Sequence, residues 1–143
     1  MKKMLFALVT YFFVISSSLA EIYVVAHKKS QIESLSKNDV TALFLGKKRI
    51  LPNGELALII DRGGSSSARS DFFFLLNNMS LSRVNAYWSR LTFSGRMIPP
   101  TVIEMDDDMF QLLSEHNNAV SYTNQKPVNP DINVILYLQR DDI

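Results

Sequence analysis

At 143 residues, 47% hydrophobic and 20% charged, the chain has room for one domain with an ordinary apolar core. Fifteen basic residues against fourteen acidic give a formal net charge of +1, which leaves no electrostatic footprint for nucleic acid or an anionic membrane. Cysteine is absent, so thiol chemistry and disulfides are excluded and stability rests on the core.

Residues 1–20 have the layout of a secretory signal peptide. Lys2 and Lys3 are followed by a twelve-residue run, 4–15, whose one weakly polar member is Thr10. Ser18 and Ala20 then place small residues at −3 and −1 of a cut before Glu21. The run is short for a membrane span. The expected mature domain is 21–143, periplasmic or secreted, with no membrane span after cleavage. Taking Lys2 and Lys3 from fifteen basic residues leaves thirteen against fourteen acidic, a net charge of −1.

Residues 21–26 (EIYVVA) are short, β-branched and aromatic, and predict a buried strand. His27 to Ser30 form a polar loop. Ser36 is placed to cap a helix, with Asp39 three residues on; Val40, Leu43 and Phe44 share its apolar face, and Gly46 ends it. Lys47, Lys48 and Arg49 follow the helix end, where cations are favoured, and read as a solvated terminus. Pro52-Asn53-Gly54 signals a tight turn into residues 56–60 (LALII). Apolar at every position, that strand is expected to be central and buried on both faces.

Residues 61–67 (DRGGSSS) then lead into a helix over 68–78, with Phe72, Leu75, Leu76 and Met79 at helical spacing. Phe73 and Phe74 widen the stripe, predicting burial on more than one side. Ser80 is placed to cap another helix through about residue 93, presenting Leu81, Val84, Trp88 and Leu91, and Ser94-Gly95 and Pro99-Pro100 end it. A brief strand is predicted near 101–104. Asp106, Asp107 and Asp108 open a helix carrying Met109, Leu112 and Leu113; acidic residues suit a first turn, and no second ligand cluster accompanies them, so no metal is expected. Residues 119–122 and 132–138 (INVILYL) are strands, the last long and apolar enough to be central. Strands alternating with helices predict an α/β fold, a mixed, mainly parallel sheet flanked by helices.

The chemistry points to one loop. A strand feeding a Gly/Ser loop that opens a helix offers unpaired amides, hydroxyls and positive dipole charge at one place. Arg62 and Arg69 flank it. Arg62, Gly64, Ser65, Ser66, Ser67 and Arg69 are therefore the candidate ligands for a small oxyanion. The plainer alternative is that the serines cap the helix and the arginines face solvent. A serine hydrolase is disfavoured, because the loop lacks the G-x-S-x-G elbow and only His27 or His116 could serve as base. No Gly-Lys-Ser/Thr closes a Walker loop, and two distant histidines do not make a zinc site.

The segment Leu35-Ser36-Lys37-Asn38-Asp39-Val40-Thr41-Ala42-Leu43-Phe44-Leu45-Gly46-Lys47 resembles the "L-s-x-x-x-v-x-x-i-F-l-G-k" stretch of phosphate-binding proteins that serve ABC transporters. The loop from Asp61 to Ser67 resembles their "R-x-D-G-S-G-T" phosphate loop, and Asn118-Ala119-Val120-Ser121-Tyr122 their "G-A-I-G-Y" strand. Ala86 to Gly95, followed by Pro99-Pro100, is similar to a short subgroup of single-domain periplasmic-binding-protein-like chains. The resemblance implies a single lobe of that fold, binding phosphate or another small oxyanion without a cofactor, with an ABC permease or an envelope protein as partner. Arg62 matches the motif's arginine, Ser65 and Ser66 its glycine-serine, Ser67 its second glycine. The motif's Asp falls at Gly64 and its threonine at Ala68. Family members have two lobes that close over the ion, and by this resemblance the chain is about half their length and begins near the second. The competing class is an envelope interaction or sensory module that keeps the fold without the solute site.

Overall fold

A computed structural model describes residues 19–64 and 66–142. The leader expected at 1–20 thus falls almost wholly outside the described residues, as does Ser65. Among the described residues no helix is long and apolar enough to cross a membrane.

Five strands form one sheet: β1 (Glu21–His27), β2 (Leu58–Arg62), β3 (Thr101–Ile103), β4 (Ala119–Thr123) and β5 (Ile132–Gln139). Their spatial order is β3-β2-β4-β1-β5. β2 pairs in parallel with β3 and β4, while β1 pairs antiparallel with β4 and β5, so the sheet is mixed. Four helices flank it: α1 (Lys37–Phe44), α2 (Ser67–Asn77), α3 (Leu81–Phe93) and α4 (Asp106–Glu115). Successive strand residues point to opposite faces. Ile22, Val24 and Ala26 of β1 accordingly enter a large core with α1, α2 and α3, while Val25 enters a smaller one with Met109 and Leu113 of α4.

The helix starts follow their sequence signals. The Ser36 hydroxyl accepts from the Asp39 amide and that of Ser80 from the Arg83 amide. Hydrogen bonds from Lys48 and Ser36 hold the Asp39 carboxyl below its ordinary range. Gly46, just past α1, has φ +69°, and a Cβ there would meet Met97 Cε at 2.6 Å and Trp88 Cη2 at 2.9 Å, so only glycine fits.

Three expectations are corrected. The second strand runs 58–62 rather than 56–60: Leu56 makes only an isolated bridge to Ile50, while Asp61 and Arg62, both buried, extend the strand because their side chains find partners in the fold. The last strand, expected to be central, lies at the sheet edge against β1 alone; it is apolar because Ile135 and Leu138 enter one core and Ile132 the other. Phe74 is 41% exposed, so the apolar side of α2 is carried by Phe72, Phe73, Leu75 and Leu76.

What fixes α2 on the sheet is a buried polar knot beside an aromatic stack. The Phe72 ring lies 3.8 Å from that of Tyr122 at 7°, and Phe44 meets Phe72 edge-on at 4.7 Å. Beside them Asp61, 3% exposed, accepts from the Tyr122 hydroxyl (2.5 Å), the Arg62 amide (2.8 Å) and Arg69 Nε (3.0 Å). Arg69 Nη1 donates on to Asn85 of α3 at 2.9 Å, and its guanidinium sits 5.5 Å from the Phe73 ring. Burial, and then the Asp61 charge, push the Tyr122 hydroxyl far above the ordinary phenol range.

Asp61→Ala leaves the Arg69 guanidinium buried and unpaired, and is expected to cost about 3–5 kcal/mol, read as a lower urea midpoint at unchanged slope. Tyr122→Phe removes one bond to a charged acceptor and should cost about 2 kcal/mol. Because the folded Tyr122 pKa is raised, its contribution is present below the unfolded value near about 10 and is lost as pH rises above it. The wild-type urea midpoint should therefore fall above about pH 10, and more steeply than that of Tyr122→Phe.

Candidate functional site

β2 and β3 run in parallel, with Arg62 opposite Ile103, so the loops that leave their C-terminal ends emerge side by side. Such strand ends are where open α/β sheets place ligands. After Arg62 the Gly63 amide donates to the Ile103 carbonyl (3.1 Å), Gly64 is exposed, and the Ser66 amide returns to the Gly63 carbonyl (3.1 Å). α2 starts at Ser67 with Ser66 as its N-cap.

That helix start differs from its two neighbours. Ser36 and Ser80 cap their helices through the side chain, whereas Ser66 makes no side-chain cap bond. The Arg69 amide bonds the Ser66 carbonyl at 3.2 Å instead. The hydroxyl of Ser66, half-buried, and that of Ser67, exposed, are thus not spent on the capping role that their sequence position suggested.

The two arginines have opposite placements. Arg69 is 8% exposed, with its fork committed to Asp61 and Asn85. A buried carboxylate inside the fold thus holds the arginine that the sequence places as the second flank of the loop. Arg62 is 4% exposed, and its Nη2 pairs with Asp106 in the first turn of α4. Its Nε and Nη1 are buried and have no partner among the described residues. Leaving a buried charged donor unsatisfied costs about 1–3 kcal/mol or more, so these nitrogens call for an acceptor.

Two carboxylates at this place escaped the sequence reading. Glu104 follows β3, and its carboxylate packs on Gly63 so closely that any Cβ there would collide with it. Asp106 was read only as a favourable first-turn residue. Both lie more than forty positions from Arg62 in sequence, and only the parallel β2–β3 pairing brings them near. The available signal was a cation at the end of an apolar strand, which demands an anion from elsewhere. Glu104, Met105, Asp106 and Asp107 line a depression of about 330 Å³ here. A cavity of about 220 Å³, lined by Lys48, Arg49, Trp88 and Pro99 among others, lies instead at the start of β2 and β3.

His27 is not at this site. It follows Ala26, which pairs with Val120; Val120 also faces Ile59, three residues before Arg62 on a strand leading the opposite way. His27 and Arg62 are therefore about 13 Å apart along the strand direction alone. The imidazole is 6% exposed, and its Nδ1 accepts from the Lys29 amide. A dyad with the loop serines has no geometric basis. His116 ends α4 as its C-cap. Asp106, Asp107 and Asp108 form the first turn of α4, and no group of three or more metal-ligating side chains is gathered among the described residues.

No protein-family model and no curated protein sequence matches the chain. Solved structures do. A phosphate ABC transporter substrate-binding protein from Clostridium perfringens, with bound phosphate, superposes with a TM-score of 0.64 at 14% identity, over 81% of this chain and 45% of that one. An ABC-type phosphate transport receptor from Vibrio cholerae gives a TM-score of 0.63 at 13% identity, over 82% of this chain and 46% of that one. The chain thus spans just under half the length of either neighbour. With four helices around a five-stranded mixed sheet, it has the periplasmic-binding-protein-like fold of the phosphate ABC transporter substrate-binding proteins.

Proposed function

We propose that the chain is an exported, single-lobe solute-binding domain that takes phosphate or a similar small oxyanion at the start of α2. The observation that carries the reading is the Arg62 guanidinium, buried with Nε and Nη1 unpartnered among the described residues, on the last residue of the strand whose loop leads to α2, where the N-cap side chain makes no cap bond. A planar fork suits two oxygens of a tetrahedral anion. Gly64, Ser65, Ser66 and Ser67 would add main-chain amides, hydroxyls and the positive end of α2. Arg69 serves indirectly, holding β2 and α2 together through Asp61.

Hydrogen bonds to a charged group contribute about 1.5–3 kcal/mol each, and a helix N-terminus about 0.3–2 kcal/mol. Three or four such contacts, less desolvation and association costs, correspond to a Kd between about 1 mM and 1 μM for a site open on one side. Tighter binding needs a second surface over the ion, from a partner such as an ABC permease or another envelope protein.

An envelope interaction or sensory module on the same fold is a second reading. Exposed apolar side chains at Phe93 (97%), Ile98 (86%), Met105 (63%) and Val102 (57%) favour it. Cross-linking and co-purification from the envelope would separate the two, since this reading expects a stoichiometric partner and no response to oxyanions.

Isothermal titration with phosphate, sulfate and chloride is expected to give saturable heat for phosphate or sulfate and none for chloride. Ser66→Ala should weaken binding about tenfold, the equivalent of one hydrogen bond, without loss of fold. Arg62→Ala should abolish it, with circular dichroism checking that the variant is folded. Absence of saturable heat from either oxyanion, or affinity unchanged in both variants, overturns the assignment.

A further inference from the structure

We propose that Glu104 and Asp106, at the corner between β3 and α4, are the anions that neutralise this site in the absence of ligand, and that an oxyanion taking the open Nε and Nη1 of Arg62 binds by displacing them. The inference rests on the oxyanion reading above and adds the residues that set its apparent affinity.

Two internal carboxylates already stand here, one on the arginine and one at the root of the loop. Asp106 holds Nη2 of the buried Arg62. Glu104 lies flat on Gly63, at the root of the loop that opens α2, and the glycine is buried while the glutamate is exposed. Glycine at 63 is what admits that carboxylate, since a methyl group would evict it. The seat is set by register: Arg62 faces Ile103, so the residue after each strand meets its counterpart across the corner.

A dianion on the open Nε and Nη1 would share the guanidinium with Asp106 and lie one residue along the backbone from the Glu104 carboxylate at Gly63. Each like-charge pair at contact distance lowers affinity by roughly tenfold to a thousandfold, depending on screening. Exchange is therefore favoured over co-occupancy. The arginine, 4% exposed, has nowhere to go, whereas the Asp106 side chain is 45% exposed and Glu104 is on the surface. The carboxylates move. Apparent affinity is then the intrinsic affinity reduced by the fraction of molecules in which they have swung out.

The test is isothermal titration of inorganic phosphate into wild type, Glu104→Gln and Asp106→Asn, with thermal melts alongside. Glu104→Gln keeps the shape, removes the charge and lies at the surface, so it should fold and bind phosphate at least about tenfold more tightly than wild type. Asp106→Asn leaves Arg62 without its counterion, so its Tm should be lower without phosphate and rise further with it than the wild-type Tm does. Wild type silent and Glu104→Gln binding would support both the site and the exchange. If wild type binds and Glu104→Gln binds equally or more weakly, the exchange is overturned while the oxyanion site stands; an equal Tm rise in Asp106→Asn removes Asp106 from it. If no protein of the three gives saturable heat, the oxyanion reading falls and the exchange with it.

Discussion

The buried Asp61 carboxylate is the constraint on which the site depends. It stands near the end of β2, 3% exposed, and three donors from three places meet on it: the Arg62 amide, the Tyr122 hydroxyl of β4 and Arg69 Nε of α2. A carboxylate so far from water is tolerable only when it is paired and fully hydrogen-bonded. Those bonds fix β2, β4 and α2 relative to one another, and Arg69 extends the hold to α3 through Asn85. The loop between β2 and α2 therefore has both ends fixed.

Most of the fold was legible because its signals are local. Ser36 and Ser80 announce helix starts, Gly46 a left-handed stop, and the stripes on α2 and α3 their buried sides. Even the brief β3 was marked by β-branched residues after Pro99-Pro100. The parts that were not legible are those decided by pairing partners. Nothing in residues 132–138 distinguishes an apolar edge strand packed on two cores from a central strand. The extension of β2 through Asp61 and Arg62 was hidden for a related reason. Charged residues at the end of an apolar run read as loop unless their partners are known, and Tyr122 and Asp106 lie more than forty residues away.

The candidate site was legible as a place but not as a set of contacts. A strand, a Gly/Ser loop and a helix start are local features, and they stand where the sequence put them, with Ser66 as the N-cap of α2. Which side chains face that place is a tertiary matter. Glu104 reaches it because β3 lies in register with β2, and Asp106 because α4 begins two residues later. Acidic residues at the start of a helix carry a sufficient local explanation in the dipole, and that explanation concealed the second one.

The fates of the two arginines show why sequence spacing alone could not assign them. Arg62 and Arg69 are seven residues apart and bracket the same loop, so a linear reading treats them as a pair. Arg69 belongs to the first turns of α2, on the side facing the sheet, where a carboxylate from the adjacent strand is within reach; its fork is used inside the fold. Arg62 ends β2, buried like Arg69 but next to Asp61 on a strand whose successive side chains point to opposite faces, and the anion it meets is a half-exposed aspartate at the start of α4. A cation buried against an internal acid is structural, because any external anion must compete with a partner that cannot leave. A cation buried against a solvent-exposed acid is exchangeable, because water can receive the acid when something else takes its place. The two arginines of this fold differ in the exposure of the counterion, not in their own.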